Sequence, residues 1–182
     1  MLNHKGTQEI KTKRLRLRRF KVEDYRDMFV FGGNPEVNKY LSYKLHQNPE
    51  ETKNLLANWV KGYEDPETYN WAIEYEKKVI GSISVVGFDE KLNAYCLGWQ
   101  IDRPYWNKGI MTEAAKAVID YLFDVGFKKI AASFDTENIA SGRVMQKIGM
   151  TKEGCEKNVI RKKDNTVYDR DIYSITNPLI NN

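Results

Sequence analysis

Apolar residues recur with two different periods in the first third of the chain. Polar and apolar residues alternate from Arg14 to Arg18, which predicts a first strand. The spacing over Val22–Phe31 favours a helix that ends at Gly32-Gly33. A second helix is predicted from Asn48-Pro49 to about Tyr63, because an N-cap residue followed by proline is a typical helix start.

The middle of the chain changes to runs of β-branched and aromatic residues separated by turn sequences. Three strands are predicted over Tyr69–Tyr75, Val79–Val86 and Ala94–Ile101, and their short connections favour an antiparallel meander. A strongly amphipathic helix then covers Gly109–Val125 and is followed at once by Gly126.

The last third alternates again between strands and a helix. A strand over Lys129–Phe134 precedes a helix over Glu137–Lys147, which Gly149 ends. Strands near Lys152–Arg161 and Thr166–Ile175 complete the chain, with a hairpin turn at 162–165. The order predicts an α/β (α+β) fold: a single mixed, mostly antiparallel sheet of about seven strands flanked by about four helices, in one domain spanning 1–182.

Composition narrows the functional classes. The chain has 29 Lys and Arg against 25 Asp and Glu. The basic residues over 11–19 alternate with Leu15 and Leu17, so they fit the solvated face of a strand better than a nucleic-acid surface. No apolar run is long enough for a membrane helix, and we expect a cytoplasmic protein. Cys96 and Cys155 have no metal-ligand spacing, which predicts reduced thiols and no metal.

The chemistry is concentrated between Tyr95 and Met150. A strand leads through Pro104 into a loop that becomes a helix at Gly109. A helix start offers unpaired N–H groups to a diphosphate, and Lys108 and Thr112 can add donors. On this loop alone, a tight turn into a core helix is an equally good interpretation.

Two further features favour a ligand crevice. Pro104 would leave the strand backbone near Gln100–Arg103 without a neighbour. A second polar helix start, Thr136–Ser141, follows the next strand. If the two strands are parallel neighbours, both helix starts border one crevice at their carboxyl ends.

These segments resemble the GNAT superfamily of N-acetyltransferases, and within it the branch that acetylates the N-termini of ribosomal proteins. The resemblance is carried by LGWQIDRPYWNKGIMTEA and NIASGRVMQKIGMTKEG, and also by KTKRLRLRRF and YDRDIYSI near the two ends. It implies acetyl-CoA as co-substrate and a primary amine as acceptor, possibly a protein N-terminus. Trp106 and Met111 depart from the residues most usual at the two ends of the family's loop.

The resemblance also assigns roles. The backbone of Trp106–Met111 would bind the pyrophosphate, and that of Gln100–Arg103 would pair with the pantetheine arm. Asn138 would hydrogen-bond this arm, and Ser141 would lie near the thioester sulfur and donate a proton to it. The implied cofactor-binding residues are Gln100, Ile101, Asp102, Arg103, Trp106, Asn107, Lys108, Gly109, Ile110, Met111, Thr112, Asn138 and Ser141.

The sequence identifies no general base. Relatives often carry acids where this chain has Cys96 and Ile160. The remaining carboxylates on the strands, Glu74, Glu156 and Asp169, are interpreted as exposed. Direct attack in a ternary complex with proton removal through water is therefore one hypothesis. Cys96 itself is interpreted as a buried, inert thiol rather than a nucleophile, since nothing basic is close to it in sequence.

Other residues leave alternatives open. His4 and His46 have no neighbouring serine or cysteine, which argues against a histidine triad. The acceptor could instead be a polyamine, an amino acid or an antibiotic, and a CoA-binding module without catalysis also fits. The four tryptophans could shape an acceptor pocket or lie in the core. Exposed aromatics could form a homodimer contact or border the acceptor site, namely Tyr40, Tyr43 and Tyr63.

Overall fold

A computed structural model describes residues 2–41, 44–161 and 167–180, apart from the side chains of residues 160, 161 and 180. The described strands form an eight-stranded sheet in the order β1-β2-β3-β4-β5-β6-β8-β7. The strands are β1 Ile10–Lys11, β2 Arg16–Arg18, β3 Asn70–Tyr75, β4 Lys78–Asp89, β5 Ala94–Ile101, β6 Lys129–Asp135, β7 Thr151–Arg161 and β8 Val167–Thr176. The helices are α1 Tyr25–Gly32, α2 Pro49–Gly62, α3 Ile110–Val125 and α4 Ile139–Lys147.

The predicted α/β class and the single mixed sheet are confirmed, and the strand count differs by one. The additional strand, β1, has two residues and pairs antiparallel with β2, where Ile10 lies opposite Leu17. Two residues are too few to show a period, so the pattern could not reveal it. The predicted helix over 22–31 is a 3₁₀ turn at Val22–Asp24 followed by α1.

Local capping explains where the longer helices begin and end. The Asn48 side chain accepts a hydrogen bond of 2.9 Å from the main-chain N–H of Glu51, with Pro49 in the first helical position. Helix α3 lies between Gly109 and Gly126, which both have left-handed backbone conformations. An L-residue adopts this conformation only at a cost, so glycine favours these boundaries.

Side chains on the two faces of the sheet enter different cores. The larger core packs α3 and α4 against the sheet through residues such as Ile73, Ile83 and Leu122. The smaller core includes Leu56 of α2 and Ala72 of β3, with residues of α1. Because Ala72 and Ile73 are consecutive in β3, their side chains leave opposite faces of the sheet. Helices therefore cover both faces.

The sheet opens between β5 and β6, the strand pair expected to be parallel neighbours. They are parallel and pair at Tyr95–Ile130 and Cys96–Ala131. Beyond these positions β5 continues to Ile101 beside β4, whereas β6 continues to Asp135 beside β8. The carboxyl ends of two adjacent strands thus diverge, and this opening positions the candidate site.

The structure corrects several predictions of exposure on the strands. Arg18, placed on a solvated face, is only 8% exposed and pairs with Asp24 and Glu74. Glu156 and Asp169 are half-buried as well, and they form ion pairs with basic residues on the paired strand. The alternation was real, but charged residues of the 3₁₀ turn and of the neighbouring strands cover positions that an isolated strand would expose.

The structure also bears on the predictions for Tyr63, the hairpin turn, membrane helices and metal sites. Tyr63 is 8% exposed rather than open to solvent, because its hydroxyl accepts from the N–H of Phe20 and donates to the Asn70 carbonyl. The hairpin turn at 162–165 and Tyr43 lie outside the described residues. In the described part of the chain, no helix has the length and apolarity to cross a membrane. Within the same ranges, no cluster of three His, Cys, Asp or Glu could hold a metal ion.

Candidate active site

A cavity of about 500 Å³ occupies the opening between β5 and β6. Its walls are the end of β5, the loop before α3, the end of β6 and the first turns of α4. Tyr40 and Leu41, from the segment between α1 and α2, border it on another side. The predicted cofactor residues on its wall are Gln100, Ile101, Trp106, Asn107, Gly109, Ile110, Met111, Thr112, Asn138 and Ser141.

The loop before α3 has the backbone geometry of an anion site. Asn107 and Gly109 have φ values of 58° and 70°, both in the left-handed region. Alternation of left- and right-handed residues turns successive N–H groups to one side, and such concave arrangements bind anions. The first-turn N–H groups of α3, at Ile110, Met111 and Thr112, have no intrahelical acceptor. The arrangement suits a diphosphate.

Thr12 and Arg14, near the N-terminus, hold this loop through hydrogen bonds. Glu113, in the first turn of α3, accepts from Thr12 Oγ1 at 2.6 Å and from Arg14 Nε at 2.6 Å. Arg14 Nη1 also donates to the Lys108 carbonyl at 3.0 Å. Burial acts to raise the pKa of Glu113, but the hydrogen bonds from Thr12 and Arg14 lower it overall. A charged Glu113 thus fixes the helix start relative to β2.

Polar groups at the end of β5 differ in whether they have a hydrogen-bond partner among the described residues. Gln100 Oε1 is buried and has no hydrogen-bond partner among the described residues. The Ile101 carbonyl, by contrast, accepts from Trp106 Nε1 at 2.8 Å, and the Asp102 N–H donates to Ile80. A buried amide oxygen without a partner costs free energy, so a donor on a bound molecule would stabilise it.

Three predicted residues do not reach the cavity wall. Asp102 is buried below it, and Arg103 forms an ion pair of 2.6 Å with Glu36. Lys108 is exposed, with its ammonium over the ring of Tyr105. The predicted roles of the Asp102 and Arg103 backbone and of the Lys108 side chain in cofactor binding remain predictions.

The start of α4 supplies the opposite wall. The Asn138 side-chain oxygen caps the helix by accepting from the Ser141 N–H at 3.3 Å, which leaves its amide N–H groups for a ligand. Ser141 is half-buried beside it. Sequence reasoning missed Arg143 and Lys147, two exposed cations on this wall. Their i, i+4 spacing places them on one face of α4, and this spacing could have indicated them.

A second pocket of about 420 Å³ lies on the side of β5 that faces α1 and α2. It shares Gly98, Trp99 and Gln100 with the first cavity, so the two meet at the end of β5. The other lining residues are Met28, Lys44, His46, Glu51, Leu55, Trp59, Ser82, Ser84 and Val86. The pocket therefore combines an apolar floor with a few polar groups, which is typical of small-molecule and side-chain pockets.

The four tryptophans divide between these regions. Trp59 lines the second pocket, Trp106 lines the first, and Trp99 borders both. Trp71 is fully buried in the larger core. The expectation that tryptophans shape an acceptor pocket remains a prediction for Trp59 and Trp99, and Trp71 is a core residue.

Cys96 lies at the closed end of the opening and lines neither cavity. It is opposite Ala131, at the last position where β5 and β6 pair. Burial, followed by the negative charge of Asp89, raises the pKa of the Cys96 thiol. Cys96 is half-buried rather than buried as expected, but a neutral thiol is a poor nucleophile, which agrees with its interpretation as an inert side chain.

Comparison with known proteins identifies the family. The family described as "Acetyltransferase (GNAT) domain" matches residues 14–151. The uncharacterized N-acetyltransferase YnaD of Bacillus subtilis (strain 168) is 34% identical over 167 residues, covering 91% of this chain and 95% of YnaD.

Solved structures share the fold. A GNAT-family acetyltransferase from Bacillus anthracis superposes with a TM-score of 0.81 at 29% identity, covering 93% of this chain and 99% of that one. RimL, the ribosomal L7/L12 α-N-protein acetyltransferase solved with coenzyme A, has a TM-score of 0.81 at 18% identity over 93% and 98% of the two chains. At that identity RimL shows the fold alone. The chain therefore belongs to the GNAT family and is an N-acetyltransferase.

Proposed function

We propose that this enzyme transfers the acetyl group of acetyl-CoA to the N-terminal amine of a protein. The observation that carries the proposal is the meeting of two cavities across Gly98–Gln100. One cavity includes the loop before α3, whose backbone geometry suits a diphosphate, and the other is lined by aromatic and polar side chains. Two reactants that enter from opposite sides of β5 would meet there without an enzyme-bound acetyl intermediate.

The residues of the first cavity fit coenzyme A by their chemistry. The helix start at Gly109–Thr112 would bind the pyrophosphate. The cations of Arg143 and Lys147 would face the remaining phosphate, since exposed ammonium and guanidinium groups bind phosphate through charge-assisted hydrogen bonds. Gln100 and the Asn138 amide would hydrogen-bond the peptide-like groups of the pantetheine arm. Bound in this way, acetyl-CoA supplies the thioester.

Orientation would then provide much of the rate enhancement. An α-amine has a pKa of about 7.7–8.0, so part of it is neutral near pH 7. Holding such an amine against the thioester can contribute up to roughly 7–11 kcal/mol. A main-chain N–H near Gln100 would stabilise the oxyanion, and the Ser141 hydroxyl would donate to the leaving sulfur.

The choice of a protein N-terminus rests on a shared fold. RimL, which acts on the α-amine of a ribosomal protein, matches nearly the whole chain in backbone trace. A small amine remains the second candidate acceptor, because the second pocket, at about 420 Å³, has the volume of a small-molecule site.

The test measures release of thiol from acetyl-CoA with three acceptor sets: peptides with a free α-amine, the same peptides with a blocked N-terminus and a free lysine, and a panel of polyamines and amino acids. The proposal predicts the highest kcat/KM for free α-amines. Preference for the third set would move the acceptor to the small-molecule class. Saturable binding of acetyl-CoA without transfer to any acceptor would make the chain a binding module.

A further inference from the structure

The second pocket contains a histidine whose sequence context gave no sign of function. Of the described residues that line this pocket, the ionisable ones are Lys44, His46 and Glu51. The wall formed by β4 and β5 presents Ser82, Ser84, Gly98, Trp99 and Gln100, none of which can take a proton near neutral pH. Among the described lining residues, a side chain that removes a proton from an amine in this pocket would therefore come from the helical side.

The two other ionisable groups are poorly suited to that task. Lys44 is an exposed ammonium, which has no lone pair for a proton. Glu51 is exposed in the first turn of α2, where its Oε2 accepts from the Gln47 N–H at 2.7 Å. This bond holds the carboxylate of Glu51 against the main chain of the segment before α2. Of the three ionisable side chains, His46 is the remaining candidate for the base.

Packing holds the His46 ring in one place. Its Nδ1 lies 2.8 Å from Oγ1 of Thr52, a fully buried residue of α2. The ring also packs on Gly32, where an added Cβ would lie 2.6 Å from Nδ1. Nε2 has no hydrogen-bond partner among the described residues. When Nδ1–H donates to Thr52, the Nε2 lone pair is left for a substrate.

The surroundings also favour the neutral form of the ring. Burial lowers the pKa of His46 below its ordinary value of 6.5, and the negative charge of Glu51 opposes this effect. Among the elements packed on the ring, α1 contributes Met28 and Gly32, and the sheet contributes no charge. The neutral ring, which can accept a proton at Nε2, is therefore the favoured form.

We propose that His46 is the proton acceptor for the amine in the second pocket, with Thr52 as the residue that sets its tautomer. The inference rests on the proposed function. The amine nitrogen forms a bond to the acetyl carbon, and the carbon–sulfur bond breaks with its electron pair on sulfur. An ammonium substrate loses two protons in total: one ends on the thiol, with Ser141 as donor, and the other passes through Nε2 of His46 to water.

The first experiment is independent of turnover. The chain has two histidines, His4 and His46, so side-chain NMR of the free protein during a pH titration gives two resolvable signals, assigned with His46→Gln. We expect His46 to titrate below 6.5 as an Nδ1–H tautomer. Titration above that value, or an Nε2–H tautomer in the neutral protein, would overturn the inference.

The second experiment compares His46→Gln with the matched variant His4→Gln. His4 lies far from both pockets, beside Tyr69 and Phe127. With the best acceptor from the panel, we expect His46→Gln to lower kcat/KM about 100-fold at pH 7 and to leave the acetyl-CoA Kd unchanged. The loss should shrink as pH rises above the pKa of the amine, because the substrate then arrives neutral. His4→Gln should match the wild type.

Thr52→Val and Thr52→Ser keep the result interpretable if His46→Gln unfolds. The valine variant removes the hydroxyl at nearly constant volume, and should lower kcat/KM with a shift of the acidic limb of the pH profile. The serine variant should restore both. Equal activity of the valine variant, or of a folded His46→Gln protein, overturns this inference alone. Absence of transfer by the wild type overturns the proposed function together with it.

Discussion

The two cavities that meet at β5 are built in different ways. The cofactor side adds main-chain donors to its side chains, because the first-turn N–H groups of α3 on its wall have no intrahelical acceptor. The acceptor side is made from side chains brought together from α1, the segment before α2, α2 itself, β4 and β5. Among the described residues they share three, and in the proposed function each cavity binds one reactant.

This difference explains how substitutions would affect ligand binding in each cavity. Backbone N–H groups are present whatever the side chain, so a loop that binds diphosphate tolerates Trp106 and Met111 at its ends. A pocket made from side chains changes its specificity with every substitution. We infer that members of this family can keep one cofactor while they differ in acceptor, and the following predictions separate the two sides.

The largest effect is expected from Ser141→Ala on the cofactor side. Loss of a proton donor to the leaving sulfur should lower kcat about 100-fold and leave the acetyl-CoA Kd unchanged. Ser141→Thr keeps a hydroxyl and should recover most of the activity. Steady-state kinetics together with calorimetric binding provide the measurement. An unchanged kcat would reduce Ser141 to an ordinary residue in the first turn of α4.

Gly109→Val should weaken the cofactor side without touching the acceptor side. A β-branched residue at φ 70° is strained by about 1–3 kcal/mol, so the free loop should relax to another conformation and the acetyl-CoA Kd should rise by about 30-fold when binding restores the strain. Gly154→Val is the matched control, because its added side chain meets open space in β7 and its backbone is not left-handed. Isothermal titration with acetyl-CoA measures the difference. Equal affinities would show that the loop does not hold the pyrophosphate.

Gly32→Ala should perturb the acceptor side alone. The added methyl group would collide with the His46 ring and displace it from Thr52, so kcat/KM for the amine should fall about tenfold. Gly62→Ala places the same group in open space, also at the last residue of a helix. Steady-state kinetics of the two variants, with the acetyl-CoA Kd as reference, test this prediction. Equal loss in both would point to a general effect on the helices.

The smallest effect is expected at Cys96, which lies between the sides and lines neither. Cys96→Ala should keep kcat within about twofold of the wild type, because a thiol with a raised pKa does not attack a thioester. Mass spectrometry after incubation with acetyl-CoA should find no acetyl group on Cys96. An acetylated Cys96 with a much lower kcat in the variant would replace direct transfer by a covalent route.

The sequence predicted those parts of the fold that depend on near neighbours. The Asn48-Pro49 start of α2 and the glycines on either side of α3 act over one helical turn, so their meaning is readable from a few residues. The loop before α3 and the start of α4 are also features that a few neighbouring residues define. Most of the predicted cofactor residues line the first cavity. The strands were found by their period, except β1, which is too short to have one.

The acceptor side shows what local pattern leaves out. His46 looked like an isolated histidine, and its partners Gly32 and Thr52 carry no motif. Likewise, Arg18 looked solvated because alternation reports which side of a strand a residue faces, not whether Asp24 and Glu74 cover that side.

Sequence alone determined the class of fold and most of the helices and strands, and it predicted the cofactor loop, since these follow from backbone preferences and hydrogen bonds over a few residues. Only the tertiary structure decided where β5 and β6 diverge and which side chains meet in the second pocket. His46 and the strand residues Gly98–Gln100 are about fifty positions apart in the sequence. No periodicity in the sequence predicts that they line the same pocket. That proximity arises from the packing of α1 and α2 on the sheet.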